Sequence, residues 1–277
     1  MFSKNINAST IKRSIKPFVA LFGLCAALII SQPSSATIVQ FQTVLGDFSV
    51  NLYDKTTPKT VENFLAYVNS PSAPYKNSVI HRSVPGFVVQ GGGFKYDTKL
   101  PLISIPQNAA VTNEPVYANK RGTIAMAKLG TDANSATNQW FFNLKDNSGN
   151  LDSQNGGFTV FGEVTGNGMA IVDAMAALNV FSLAVSTNNS ALTDVPLRNY
   201  TSTDATNGVV VTDKNLVMIL GIVVLDANVD SAANLTPAKT TYTPSSGGGS
   251  SGGGSTGWLS LLMLLGIAAI GRSRSRR

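Results

Sequence analysis

Cysteine and histidine are almost missing from this chain of 277 residues, which holds one of each, Cys25 and His81. A single cysteine in an apolar run near the N-terminus leaves the rest of the chain without an internal disulfide, a thiolate metal site or a catalytic thiol. A single histidine excludes a His-rich metal site and a Ser-His-Asp triad built elsewhere. Charge is sparse too, at 13% of residues, and its sign misleads. The formal net charge is +6, yet Lys4, Lys12, Arg13, Lys16, Arg272, Arg274, Arg276 and Arg277 all lie at the two ends. The middle is left with 13 basic against 15 acidic residues, which is no electrostatic footprint for DNA or RNA. Apolar residues, at 43%, are plentiful enough for a sizeable core.

The ends read as processing and targeting segments. A basic stretch, an apolar run over 18–30 and small residues with Ser34 and Ala36 in the −3 and −1 places form the layout of a secretory signal peptide cleaved before Thr37. The apolar run is short for a membrane span of about 20 residues. Leu24 stands before Cys25 where a lipoprotein signal needs a small residue, so lipidation is rejected. At the other end a Thr/Pro/Ser stretch leads into a Gly/Ser run over 247–255, which reads as flexible coil, then a short apolar segment over 258–270 and an arginine cluster. This order resembles the glycine-glycine sorting tails of Gram-negative bacteria that intramembrane rhombosortase proteases cut. The predicted organisation is a signal peptide over 1–36, a domain over 37–228, a flexible linker over 229–256 and a sorting tail over 257–277.

Within the domain, residues 37–44 and 47–53 alternate apolar and polar around Leu45 and Gly46, a hairpin pattern. Val61, Phe64, Leu65 and Val68 recur at helical spacing after Pro58, predicting a helix over 59–69. Short β-rich runs follow over 78–84, 87–90, 122–127, 139–144 and 158–164, then a helix over 168–178 and a last strand over 216–225. Many short strands with two isolated helices predict a mainly β domain, a closed barrel or sandwich with helices at its ends. Residues 179–215, rich in Ser, Thr and Asn, are expected to form a surface excursion.

The run from Val79 to Phe94 places His81 and Arg82 on one strand, Pro85 and Gly86 in a turn, and Phe87 and Gln90 on the next strand. The glycines 91–93 lack the Gly-Lys-Ser/Thr of a phosphate loop. This run resembles the signature of the cyclophilins, the peptidyl-prolyl cis-trans isomerases. Three further blocks, at 122–127, 138–143 and 157–162, follow in the family's order. The resemblance covers about residues 38–226 and is to bacterial-type members, exported rather than cytosolic. It implies a closed eight-stranded antiparallel β-barrel capped by two α-helices. It also implies catalytic roles for Arg82, its neighbour His81, Gln90 and Phe87, and substrate-binding roles for Val88, Met126, Ala127, Gln139, Phe141, Leu151 and Phe158. Val88 replaces a common methionine. The tryptophan that helps many members bind cyclosporin is replaced around Asn150, beside a one-residue insertion. Trp140, where phenylalanine is usual, is expected to face the core.

The implied reaction suits these residue types. Resonance raises the barrier to peptide-bond rotation to about 18–20 kcal/mol, and X-Pro bonds exchange in tens to hundreds of seconds without help. Twisting the bond makes the proline nitrogen pyramidal and basic, so a guanidinium that donates to it favours the twisted state over either planar one. No bond to the enzyme forms, so neither metal nor cofactor is implied. The expected partners are proline-containing polypeptides, a signal peptidase and an intramembrane sorting protease. Membrane contact is confined to the terminal segments, and the domain is expected to be monomeric. The expected location is the periplasm or cell envelope, with release after tail cleavage. The rival reading is a non-catalytic proline-peptide-binding chaperone or adaptor, against which the retention of Arg82, Gln90 and Phe141 argues. A serine hydrolase fails for want of a histidine outside the barrel strand.

Overall fold

The computed structural model describes residues 37–227, 232 and 235–241. The expected signal peptide, the sorting tail and most of the linker lie outside the described residues. The chain opens with the predicted hairpin, β1 (Ile38–Thr43) and β2 (Phe48–Leu52), followed by α1 (Pro58–Val68). The hairpin turn is fixed by Thr43, whose hydroxyl donates to the Gly46 carbonyl (2.6 Å) and accepts from the Leu45 N–H (3.1 Å). Gly46 takes φ +120°, and a Cβ there would meet Ile171 at 2.9 Å. Pro58 starts α1, where its missing N–H costs nothing. No side chain caps that helix locally. Instead the Glu114 carboxylate, 54 residues on, accepts from the Thr60 N–H (3.0 Å) and hydroxyl (2.8 Å).

The predicted strand over 78–84 is broken into β3 (Ser78–Val79) and β4 (Arg82–Val84). Ile80 donates to Val217 while His81 donates to Gln90, so the chain changes partners between them. Then come β5 (Val88–Gly91), β6 (Phe94–Asp97), β7 (Lys99–Ser104), β8 (Thr123–Met126), β9 (Trp140–Asn143), the single turn α2 (Ser148–Leu151), β10 (Val160–Val164) and α3 (Gly168–Ala176). The hairpin β6–β7 has no predicted counterpart. Pro101 interrupts its pattern, and β7 is an edge strand, where a missing ladder donor is tolerated. Last come β11 (Val180–Phe181), α4 (Ala184–Thr187), β12 (Val195–Pro196), α5 (Ser202–Thr206) and β13 (Met218–Asp226).

Eleven strands form one curled antiparallel sheet in the order β4-β5-β9-β8-β10-β2-β1-β13-β3-β6-β7. The closed eight-stranded barrel is therefore corrected to a half-barrel whose hydrogen-bonded ends are β4 and β7. The break at Ile80 and His81 and the added β6–β7 hairpin account for the difference. The two longer helices bury Phe64, Val61, Val172 and Met175 in the main core, with Phe41, Phe48, Trp140 and Phe142. The Trp140 indole meets Phe41 edge-on at 5.2 Å, facing the core as predicted. The glycine run makes room for it. A Cβ on Gly91 would lie 2.6 Å from the indole, and one on Gly92, at φ +82°, only 2.4 Å from the Asn138 carbonyl.

Two expectations need correction. Residues 179–215 are not a mere surface excursion, because Leu183, Leu192, Val195, Leu197 and Tyr200 join Val79, Phe94, Leu102 and Leu216 in a second core. These apolar residues follow neither a two- nor a 3.6-residue period, so no pattern announced them. Residues 235–241 fell in the expected flexible linker. They lie against 116–118, with Ala118 N–H donating to Ala238 (2.8 Å) and Thr240 N–H to Val116 (3.1 Å).

Candidate active site

Strand register assembles a row of side chains from residues far apart in sequence. Arg82 stands opposite Gln90, Gln90 opposite Phe141, Phe141 opposite Ala125, and Ala125 opposite Val160. Because alternate residues of a strand share a face, the neighbours Trp140, Phe142 and Ile124 turn into the main core. The outward face forms a separate apolar cluster of Val88, Ala125, Ala127, Phe141, Leu151, Phe158 and Val160, with Phe87 at its margin. Phe141 and Phe158 meet edge-on at 5.9 Å.

At the end of this row Arg82 is 2% exposed. Its Nη1 donates to Gln90 Oε1 (3.2 Å), and Gln90 Nε2 donates to Gln139 Oε1 (2.9 Å), a relay that fixes the guanidinium plane. Arg82 Nε and Nη2 have no hydrogen-bond partner among the described residues. Burial works against the charge and Asp194 works in its favour. Asp194 comes from the 179–215 segment, whose backbone also secures the edge strand through Ser83 N–H to the Asp194 carbonyl (2.8 Å). His81 is 2% exposed and lies edge-on to Phe94 of the second core (5.0 Å). Burial pushes it down to about 4, so it is neutral at pH 7.

Nine of the eleven expected site residues thus lie in the outward cluster or in the relay beside it, while His81 sits in the break between β3 and β4 with its ring on Phe94 of the second core. Met126 does not join them. It pairs with Trp140 and belongs to the main core, since it alternates with the outward Ala125 and Ala127. Sequence reasoning also passed over two groups. Lys128, one residue beyond Ala127, puts its Nζ 4.9 Å from the centre of the Phe158 ring and donates to the Asn155 (2.7 Å) and Gly157 carbonyls. Burial lowers it to about 8. Behind the cluster runs a buried amide chain. Asn147 Nδ2 donates to the Phe87 carbonyl (2.9 Å) and to Asn143 Oδ1 (2.8 Å), and Asn143 donates to Asn119 Oδ1 (3.2 Å). Asn119 in turn donates to Asp152 Oδ1 (2.9 Å) and the Phe158 carbonyl (3.2 Å). Buried polar groups must be paired, and here the pairing ties Phe87 to Phe158. Four scattered asparagine and aspartate residues carry no periodicity that would have revealed it.

Beside Phe87 a cleft of about 330 Å³ is lined by Val84, Lys145, Asp146, Asn147, Gly149 and Asn150. Asn150 is exposed there. The same sheet face thus carries a buried cation with two unpartnered donors and an apolar aromatic cluster, an arrangement suited to stabilising charge that develops on a bound group, without a covalent step.

Residues 38–202 match the family model described as cyclophilin type peptidyl-prolyl cis-trans isomerase/CLD. The chain is 36% identical over 150 residues to a peptidyl-prolyl cis-trans isomerase of Acinetobacter baylyi, covering 54% of this chain and 77% of that one. It is also 36% identical over 167 residues to peptidyl-prolyl cis-trans isomerase A of Dickeya dadantii, covering 60% and 84%. A solved structure of a cyclophilin type peptidyl-prolyl cis-trans isomerase from Cryptosporidium parvum is similar at TM-score 0.47 and 20% identity, covering 70% of this chain and 99% of that one. The chain belongs to the cyclophilin family. It is a peptidyl-prolyl cis-trans isomerase of that type.

Proposed function

We propose that this isomerase turns X-Pro bonds in exported polypeptides within a bacterial cell envelope, assisting their folding. The observation that carries the site assignment is the cross-strand row that sets the Arg82 guanidinium, with two unpartnered N–H groups, on the same sheet face as Phe141, with Gln90 between them. In this reading the proline ring lies against Phe87, Phe141, Leu151 and Phe158, with Val88 and Ala127 closing the floor. As the bond twists, the proline nitrogen loses resonance and gains a lone pair, which Arg82 meets as a donor. The ground state offers no such acceptor, so the interaction strengthens only at the barrier top. Gln90, steadied by Gln139, holds Arg82 in plane and can donate to the substrate backbone. His81 carries no charge at neutral pH and needs none.

Export is supported by the segment before Thr37 and by the surroundings of Thr37 itself. Its N–H donates to Asp54 Oδ2 (2.7 Å) and its hydroxyl to Oδ1 (3.1 Å). Cleavage after Ala36 would turn that nitrogen into an ammonium group facing a carboxylate, a favourable end for the processed chain. A protease-coupled X-Pro isomerisation assay on the protein recovered from its native envelope, with N-terminal sequencing, tests the proposal. Full activity in a cytosolic fraction that still carries residues 1–36 would overturn the export reading. Binding of proline peptides without rate enhancement would favour the chaperone or adaptor instead.

A further inference from the structure

We propose that residues 235–241, which follow the domain's last strand, brace the proline pocket and set its affinity for substrate. The inference rests on the site assignment above and concerns how that site is held in shape. Between β7 and β8 the chain runs without a named helix or strand, and 116–118 finds its strand-like partner in the segment 238–240. Two backbone hydrogen bonds and the bridge between Tyr117 and Lys239 make the join. Leu235, together with Ala232, to which its N–H donates (2.9 Å), packs against the same apolar cluster that contains Phe141, Leu151 and Phe158. The braced segment leads directly into Asn119, which is fully buried. Asn119 donates to Asp152 and Phe158, while its own oxygens accept from Asn143 and from the Asn147 N–H (2.8 Å). Asn147 holds the Phe87 carbonyl. The brace therefore acts on the residue through which the two aromatic walls of the pocket are fastened to each other. An irregular segment that gains backbone partners and an apolar anchor loses freedom, and the walls it fastens keep their spacing. Arg82 is fixed separately, by Gln90 and Gln139, so the brace governs binding and leaves the rate of twisting alone.

The test is made on the full chain as exported. Leu235→Asp puts a charge against the apolar cluster, and Leu235→Met keeps the contact. The expected result for Leu235→Asp is a three- to tenfold rise in KM for an X-Pro peptide with kcat within twofold, and a normal KM for Leu235→Met. Hydrogen exchange gives a readout independent of activity. The Asn119 and Phe158 amides should exchange at least tenfold faster in Leu235→Asp, with the Ile124 amide unchanged. An unchanged KM with unchanged exchange overturns the brace, as does a lowered KM, which would make the segment a cover. Equal loss of protection at Ile124 would mean general destabilisation and overturns it as well. Loss of kcat alone, the pattern expected of an Arg82 variant, would contradict the separation of binding from twisting.

Discussion

Replacing Arg82 by alanine tests the catalytic reading at its centre. The guanidinium offers Nε and Nη2 without partners among the described residues, while Nη1 is engaged by Gln90. A hydrogen bond to a charged group contributes about 1.5–3 kcal/mol. If one such bond forms only in the twisted state, its loss lowers kcat/KM by about ten- to 150-fold. Arg82→Lys keeps the charge but not the planar fork that Gln90 holds, so it should recover only part of the loss. Thermal stability should change little. Contacts of the aliphatic stem are lost, but a buried cation with two unpaired donors is removed at the same time. Exchange measured by NMR on a short X-Pro peptide avoids a coupling protease and reads the step directly. An alanine variant within twofold of the natural protein would refute the assignment, and the donor would then have to be sought elsewhere on this face of the sheet.

Activity should be flat between pH 6 and 7, because burial holds His81 near 4 and Lys128, over the Phe158 ring, keeps its proton until the pH approaches 8; a bell-shaped profile there would restore an acid–base role for His81. Stability should nevertheless fall on acidification. Below the ordinary value of 6.5 the unfolded chain takes up a proton that folded His81 refuses, so stability is lost from about pH 6.5 down to 4, by about 3 kcal/mol in all, and urea titrations of His81→Gln should lack that slope. Cyclosporin should inhibit weakly, since exposed Asn150 and an open cleft beside Phe87 stand where an indole would supply a wall and a donor; Asn150→Trp should tighten inhibition, and tight inhibition of the natural protein would sink this view. Thirteen residues over 258–270 would reach only about 20 Å even as a full helix, against a hydrocarbon core of about 30 Å, so the mature protein is expected to run from Thr37 to the Gly/Ser stretch; an intact mass that includes the terminal arginines would mean a tethered enzyme.

Local pattern was enough for much of this protein. The hairpin around Gly46, the helix after Pro58, the strand carrying Gln90 and the final apolar strand each announce themselves by period and punctuation, because burying one face of a short element demands it. The roles expected of Arg82, Gln90 and Phe87 came instead from the resemblance of the run from Val79 to Phe94 to a family signature. Tertiary structure decided what depends on register and on contacts between distant segments. It turned Met126 inward and Phe141 outward, because alternation assigns faces only once the sheet's curl is known. It gathered the irregular residues of 179–215 into a second core that secures the Arg82 strand. It also laid residues 235–241 along 116–118, where a run of Thr, Pro and Ala reads as loose linker until a partner strand is present. A lone extended segment has no internal hydrogen bonds to favour its shape, so its structure is a property of what it meets and not of its own residues.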